Sequence, residues 1–257
     1  MAASTWMRRL AEGALDLVLA PVCVACHAPI PPSASERLIC AVCWSRLEPL
    51  APPCCARCGA PLPAPYTAEA RCRECTELPP SVRAVRSVCS FAGPAKEIVH
   101  ALKYGGWTAV AEPMARRIAA LSLPRDVEDE ARIVLPVPLS AARLRERGYN
   151  QAELLAGAIA RRTGRRCAPE ALLRTRRTHT QTSLHPSERR ANVAGAFAVP
   201  APHRATLAGE HVLLIDDVWT TGATAVACTE ALVAAGARVV SVLTFARTLP
   251  DRARHAR

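Results

Sequence analysis

The chain has 257 residues, half of them hydrophobic, with twelve cysteines and a formal net charge of +11. That is enough for one sizeable core plus an accessory module, and the protein reads as soluble and globular. The charge admits a polyanionic partner, but nearly all of it is arginine, as codon usage alone would produce, and an aromatic content of 4% leaves few platforms for stacking unpaired bases.

Near the N-terminus, Leu10 to Val22 is apolar but broken by Glu12 and Asp16, so it cannot supply the roughly 20-residue span of a membrane helix. Met7-Arg8-Arg9 ahead of Ala14-Leu15 mimics a signal peptide, yet the acidic interruption and the cysteines from Cys23 onward argue against secretion. No membrane insertion and a cytoplasmic location are therefore expected.

Eight cysteines form four C-x-x-C pairs: Cys23 and Cys26, Cys40 and Cys43, Cys55 and Cys58, Cys72 and Cys75. The second two pairs repeat the first two at an offset of 32 residues, and Cys58-Gly59-Ala60-Pro61-Leu62-Pro63 echoes Cys26-His27-Ala28-Pro29-Ile30-Pro31. Two residues between cysteines let a tight turn aim both thiolates at one cation, and two such knuckles complete a tetrahedral four-sulfur zinc site. Two structural zinc ions are expected. One is expected on Cys23, Cys26, Cys40 and Cys43 and the other on Cys55, Cys58, Cys72 and Cys75, with an interlaced arrangement, in which Cys23 and Cys26 join Cys55 and Cys58, as the alternative. A reducing cytosol disfavours disulfides. Cys54 and His27 lack a counterpart of their own type in the repeat, which makes them bystanders. Rich in proline and poor in long apolar runs, the segment cannot bury a core of its own, so metal must supply what the core does not.

After Pro79-Pro80 the pattern changes to alternating apolar elements, dividing the chain into an N-terminal helix and double ribbon over 1–80 and a second domain over 81–257. Strands are expected at Val82 to Phe91, Ile133 to Val137, His211 to Val218 and Val239 to Phe245. Helices are expected at Pro94 to Tyr104, Ala109 to Leu121, Ala141 to Arg162 with an interruption at Gly148, and Ala223 to Ala235, ended by Gly236. Arg174 to Asn192 reads as a long basic loop. Strands alternating with helices imply an α/β fold around a parallel sheet.

The densest signal runs from Val212 to Thr224. A buried strand ends in Asp216 and Asp217, and Thr220-Thr221-Gly222 opens a helix whose free N–H groups form a ready anion cradle. Ligands of open α/β sheets bind at that end of the strands. Carboxylates suit vicinal hydroxyls, and Mg²⁺ would offset the charge of a phosphate beside them. A sugar hydroxyl pair next to a phosphate describes a ribose 5-phosphate.

This segment resembles the phosphoribosyl diphosphate (PRPP) fingerprint of type I phosphoribosyltransferases. The resemblance implies Asp216 and Asp217 as catalytic carboxylates on the ribose 2- and 3-hydroxyls, with Thr220, Thr221, Gly222, Ala223 and Thr224 around the 5-phosphate. It implies a pyrophosphate loop after the strand ending at Val137, with Pro138 and Arg147 among its residues. The basic stretch from Arg176 to Arg190 takes the place of the family's mobile loop, with His179 or His185 as candidate proton carriers. Purine-salvage members carry an acid where Thr220 stands, so a purine acceptor is disfavoured.

The cysteine ribbon, Val137-Pro138-Leu139, Arg145-Glu146-Arg147-Gly148-Tyr149-Asn150-Gln151, Arg189-Arg190-Ala191-Asn192-Val193 and the PRPP fingerprint together resemble the ComF family (competence protein F) over nearly the whole chain. That resemblance implies a link to DNA uptake, with single-stranded DNA and competence machinery such as its helicase as partners. Two readings follow: phosphoribosyl transfer from PRPP with release of pyrophosphate, or a non-catalytic module that senses PRPP or a nucleotide and binds single-stranded DNA.

Overall fold

The structure is a computed structural model and describes residues 21–63, 72, 75, 78–176 and 193–249. Five strands form one parallel sheet in the order β1-β7-β6-β2-β3: β1 Val82–Ser90, β2 Ile133–Pro136, β3 Arg166–Cys167, β6 His211–Trp219 and β7 Val239–Arg247. The central strands are apolar at successive positions because both faces are covered. Val212, Leu214, Val240 and Val242 face one core and Leu213, Ile215, Leu243 and Phe245 the other, the period-two alternation of a strand.

Helices Ala111–Ala119 and Gln151–Thr163 cover the second face through Met114, Ile118, Leu155 and Ile159, and helix Ala223–Ala234 covers the first through Cys228 and Leu232. The expected helix at Pro94 to Tyr104 is observed at those bounds. The stretch expected from Ala141 is interrupted at Gly148 as expected, giving Ala141–Arg147 and Gln151–Thr163, because Gly148 adopts a left-handed φ of 78° and Asn150 caps the second. A short antiparallel pair, β4 Leu173–Arg174 with β5 Phe197–Ala198, begins where the long basic loop was expected. Residues 177–192 of that loop, with His179, His185, Arg189 and Arg190, lie outside the described residues. So does Leu10 to Ala20.

The ribbon is not a separate body. Cys23, Val24, Ile30 and Ile39 join one core of the sheet, and Cys55, Leu62, Cys75 and Leu78 the other. Ribbon backbone also pairs with β1, since Val85 N–H donates to Arg57 O at 2.8 Å and Ser90 N–H to Glu48 O at 2.8 Å. The ribbon thus covers the edge strand, which would otherwise offer unpaired N–H and C=O groups to other chains. What a small module cannot bury alone it buries against the sheet, so metal is one support among two. No described helix is long and apolar enough to cross a membrane.

Candidate functional site

Parallel pairing brings the site together. Pro136 pairs with Ile215 and Val137 N–H donates to Ile215 O at 2.9 Å, so Pro138 leaves β2 level with Asp216 and Asp217 on β6. Asn150 pins this loop: Nδ2 donates to Val137 O at 3.1 Å while Oδ1 accepts from Ala152 N–H at 3.0 Å.

Beyond the carboxylates, Gly222 takes a φ of 76° and helix Ala223–Ala234 begins. Thr221 Oγ1 accepts from Ala223 N–H at 3.4 Å. Asp216, Trp219, Thr220, Gly222, Ala223 and Thr224 line one pocket with Val242 and Thr244. The predicted carboxylate and the predicted turn therefore share a cavity at a helix N-terminus, where unpaired N–H groups and the helix dipole favour an anion.

Sequence reasoning missed Lys103. From the last turn of helix Pro94–Tyr104 its ammonium pairs with Asp217 Oδ2, and the two side chains are only 22% and 4% exposed. Burial raises Asp217, but the Lys103 charge and the hydrogen bonds with Asp216 and Lys103 together outweigh it and leave the carboxyl below its usual range. Lys103 is raised against its own burial by both aspartates. Burial, then the Asp217 charge, pushes Asp216 well above the carboxylate range. Asp217 N–H also donates to Asp216 Oδ1 at 2.8 Å. One lysine thus neutralises one acid of a buried pair and leaves the other short of a cation. Carboxyl oxygens of this kind would suit a hard cation such as Mg²⁺. The available signal was that Lys103 is one of two lysines in an arginine-rich chain.

Arg147 is held nearby. Its guanidinium lies 4.7 Å over the Tyr104 ring, and Nη1 donates to Gln151 Oε1 at 2.9 Å. Tyr104 follows Lys103 in the chain, so the loop after β2 and this helix end meet at one corner. Among the described residues no contact joins Arg147 to Asp216 or Asp217.

The cysteines form two clusters, Cys23, Cys26, Cys40 and Cys43, and Cys55, Cys58, Cys72 and Cys75, each with its Sγ atoms within 4.8 Å of one another. A zinc–sulfur bond of about 2.3 Å puts tetrahedral sulfurs about 3.8 Å apart. Cys26 and Cys40 stand at 3.7 Å and Cys58 and Cys72 at 3.4 Å. The adjacent pairing holds and the interlaced one does not. His27 and Cys54 belong to neither cluster.

The duplication extends to the backbone. Cys23 N–H to Ala28 O matches Cys55 N–H to Ala60 O, both 2.8 Å, and Cys40 N–H to Cys23 Sγ matches Cys72 N–H to Cys55 Sγ, both 3.4 Å. Among themselves such thiols do not all ionise. A hydrogen bond from Cys75 helps hold Cys58 down to about 4, while burial and then Cys58 push Cys72 up to about 12. A divalent cation lets all four bind as thiolates.

Residues 14–76 match the double zinc ribbon domain family. Two four-cysteine ribbons ahead of a parallel α/β sheet with an acid-tipped central strand define the class. Over 188 residues the chain is 32% identical to the DNA utilization protein YhgH of Escherichia coli O6:H1, covering 69% of this chain and 78% of that one. It is 36% identical over 110 residues to competence protein F of Haemophilus influenzae, covering 43% and 44%, and 28% identical over 198 residues to competence protein ComFC of Bacillus subtilis, covering 74% and 75%. The chain belongs to the ComF family. Among solved structures it is similar to glutamine PRPP amidotransferase of Bacillus subtilis (20% identity, TM-score 0.36, 53% of this chain and 26% of that one). Another is PRPP synthetase of Mycobacterium smegmatis (18%, TM-score 0.31, 57% and 36%). At these scores the likeness adds nothing to what the strand order establishes.

Proposed function

We propose that this cytoplasmic protein binds PRPP with Mg²⁺ and transfers its phosphoribosyl group to an acceptor, releasing pyrophosphate, in the service of DNA uptake. The observation that carries the reading is the placing of Asp216 and Asp217 near the C-terminal end of β6 directly before the Thr220 to Gly222 turn that opens helix Ala223–Ala234. In this reading Asp216 and Asp217 hold the ribose hydroxyls, and Lys103 keeps Asp217 ionised for that purpose. Thr220, Thr221, Gly222, Ala223 and Thr224 take the 5-phosphate on hydroxyls and N–H groups. Pro138 and Arg147 flank the diphosphate, for which an arginine fork is suited. Magnesium, when bound, supplies charge neutralisation for the departing pyrophosphate. The chain's own contribution is orientation of the ribose by both acids and stabilisation of positive charge on its ring by the ionised Asp217 as the bond breaks.

The alternative, a PRPP- or nucleotide-sensing module that binds single-stranded DNA, is favoured by one observation: Thr220 is exposed and, among the described residues, no other acid or histidine lines the pocket beside Asp216. The relatives are named for DNA utilization and for competence. An acceptor screen that follows pyrophosphate release from PRPP separates the two. Release that needs an acceptor and is lost in Asp216→Asn supports transfer, and PRPP binding without release under any acceptor supports the module.

A further inference from the structure

The two ribbons share a backbone pattern but not their electrostatic surroundings. In the second, three successive knuckle carbonyls are held by guanidinium groups of the sheet. Arg86 of β1 donates to Ala56 O at 3.0 Å and to Arg57 O at 3.2 Å, and Arg247 at the end of β7 donates to Cys58 O at 2.5 Å. No arginine of β1 or β7 does this for the first knuckle. Its ribbon meets the sheet through Cys23, Val24, Ile30 and Ile39 in an apolar core.

Arg247 is 2% exposed, and its Nε is buried with no hydrogen-bond partner. Arginine stays ionised at any working pH, and a buried cation is costly without an anion beside it. Among the described residues no carboxylate forms an ion pair with Arg247 or Arg86. Their anionic neighbours are cysteines, those of the second cluster and the adjacent Cys54: Arg247 bonds the carbonyl of Cys58 itself and its charge favours the Cys58 thiolate, while Arg86 bonds the two preceding carbonyls and is supported against its burial and the Arg83 charge by Cys55, Cys58 and Cys54. Four thiolates around one divalent zinc leave two negative charges in excess. Two guanidinium groups from adjacent strands stand against them, and a third, that of Arg57 in the knuckle itself, donates to Cys75 O at 3.0 Å.

We propose that Arg86 and Arg247 are the counter-ions of the second four-cysteine centre, so that its metal completes the charge balance of the sheet as well as cross-linking the ribbon. Zinc loading and these arginines then stabilise one another. The first centre, which meets the sheet through apolar packing, has no such electrostatic link. Arg247 also pairs in register with Trp219, so this charge balance reaches the strand that ends in the Thr220 to Gly222 turn.

The test is a cycle between metal and charge on the full chain. Melting temperatures are measured for wild type, Arg247→Met and Arg247→Lys, each zinc-loaded and each after chelation. Zinc release to a chromogenic chelator is followed in parallel, and Cys26→Ser marks the phase of the first centre. Arg247→Met is expected to melt earlier only when zinc is bound and to speed release from the second centre about tenfold or more, the scale of outer-sphere effects on metal affinity. The first-centre phase stays unchanged, and Arg247→Lys restores most of the slow release. If Arg247→Met does not fold, Arg86→Met, at a less buried site, goes through the same cycle. An equal loss of stability with and without zinc, or an unmoved second-centre phase, would show that the arginines only pack and bond carbonyls, and would overturn the proposal.

Discussion

The Trp219 ring occupies the space that a side chain at Gly222 would need: a Cβ built there lies 2.4 Å from Trp219 Cζ2. The glycine is required twice, since its φ of 76° is also a left-handed conformation that costs other residues about 1–2 kcal/mol. Gly222→Ala should therefore destabilise the chain by more than that backbone penalty and abolish any melting shift produced by PRPP. A variant that melts and responds like wild type would show that the turn tolerates a displaced Trp219.

The Lys103 and Asp217 pair predicts a pH signature. Asp217 is lowered, so its contribution is present above the ordinary carboxylate pKa and is lost as pH falls through the folded value. Lys103 is raised, so its contribution persists through neutral pH and is lost only as pH rises through its folded value. Lys103→Met should cost about 3 kcal/mol near pH 7, as when one partner of a buried pair is removed, and the deficit should close in acid. Denaturant titrations across pH check this, and a deficit constant with pH would mean lost packing instead. Asp216 has the opposite sign: because it is raised, the folded chain holds a proton that the unfolded chain releases, and stability declines as pH climbs from the carboxylate range. Asp216→Asn should remove that decline.

Much of this was legible in advance because its signals are local. Period-two and 3.6-residue patterns located the main strands and helices, and the C-x-x-C spacing pointed to the adjacent cysteine pairing that the clusters display, while the repeat itself left the interlaced one open. Lys103 and Arg247 were illegible for a shared reason. Each acts through a partner far away in sequence, Asp217 and Cys58, and no spacing rule joins a helix end or a strand end to such a partner. Seating of the ribbon on β1 was hidden likewise, since backbone pairing between Val85 and Arg57 leaves no side-chain signature.

The ribbon repeat predicts a pair of opposite substitutions. His27, at a φ of 57°, is the one non-glycine residue with positive φ among the described residues, and it stands where the second ribbon has Gly59 at 66°. His27→Gly should stabilise by up to about 1 kcal/mol through relief of strain. Gly59→Ala should destabilise, because its Cβ would meet Val85 O at 2.9 Å. Melting curves of zinc-loaded variants decide, and two changes of the same sign would contradict the equivalence of the knuckles.

If the chain binds single-stranded DNA through its basic loop, contacts to phosphate must dominate, because aromatic residues are scarce. Each such contact contributes about 0.7 to the slope of log affinity against log salt, so replacing Arg176, Arg177, Arg189 and Arg190 by alanine should flatten it by up to about 3. Fluorescence anisotropy with a labelled oligonucleotide measures the slope. An unchanged slope would remove this loop from the DNA surface.

The central claim is that the β6 carboxylates and turn bind PRPP, and the most direct measurement is the melting shift produced by PRPP with Mg²⁺ in wild type and in Asp216→Asn. The single substitution is the cleaner probe, since Asp217→Asn would strand Lys103. At about 100 times its dissociation constant a ligand adds roughly 2.7 kcal/mol of stability. The wild type should show the corresponding rise in melting temperature. Asp216→Asn should fold at least as stably without ligand at neutral pH and show little or no rise. Equal shifts in both proteins, or no shift in the wild type at saturating PRPP, would contradict the account.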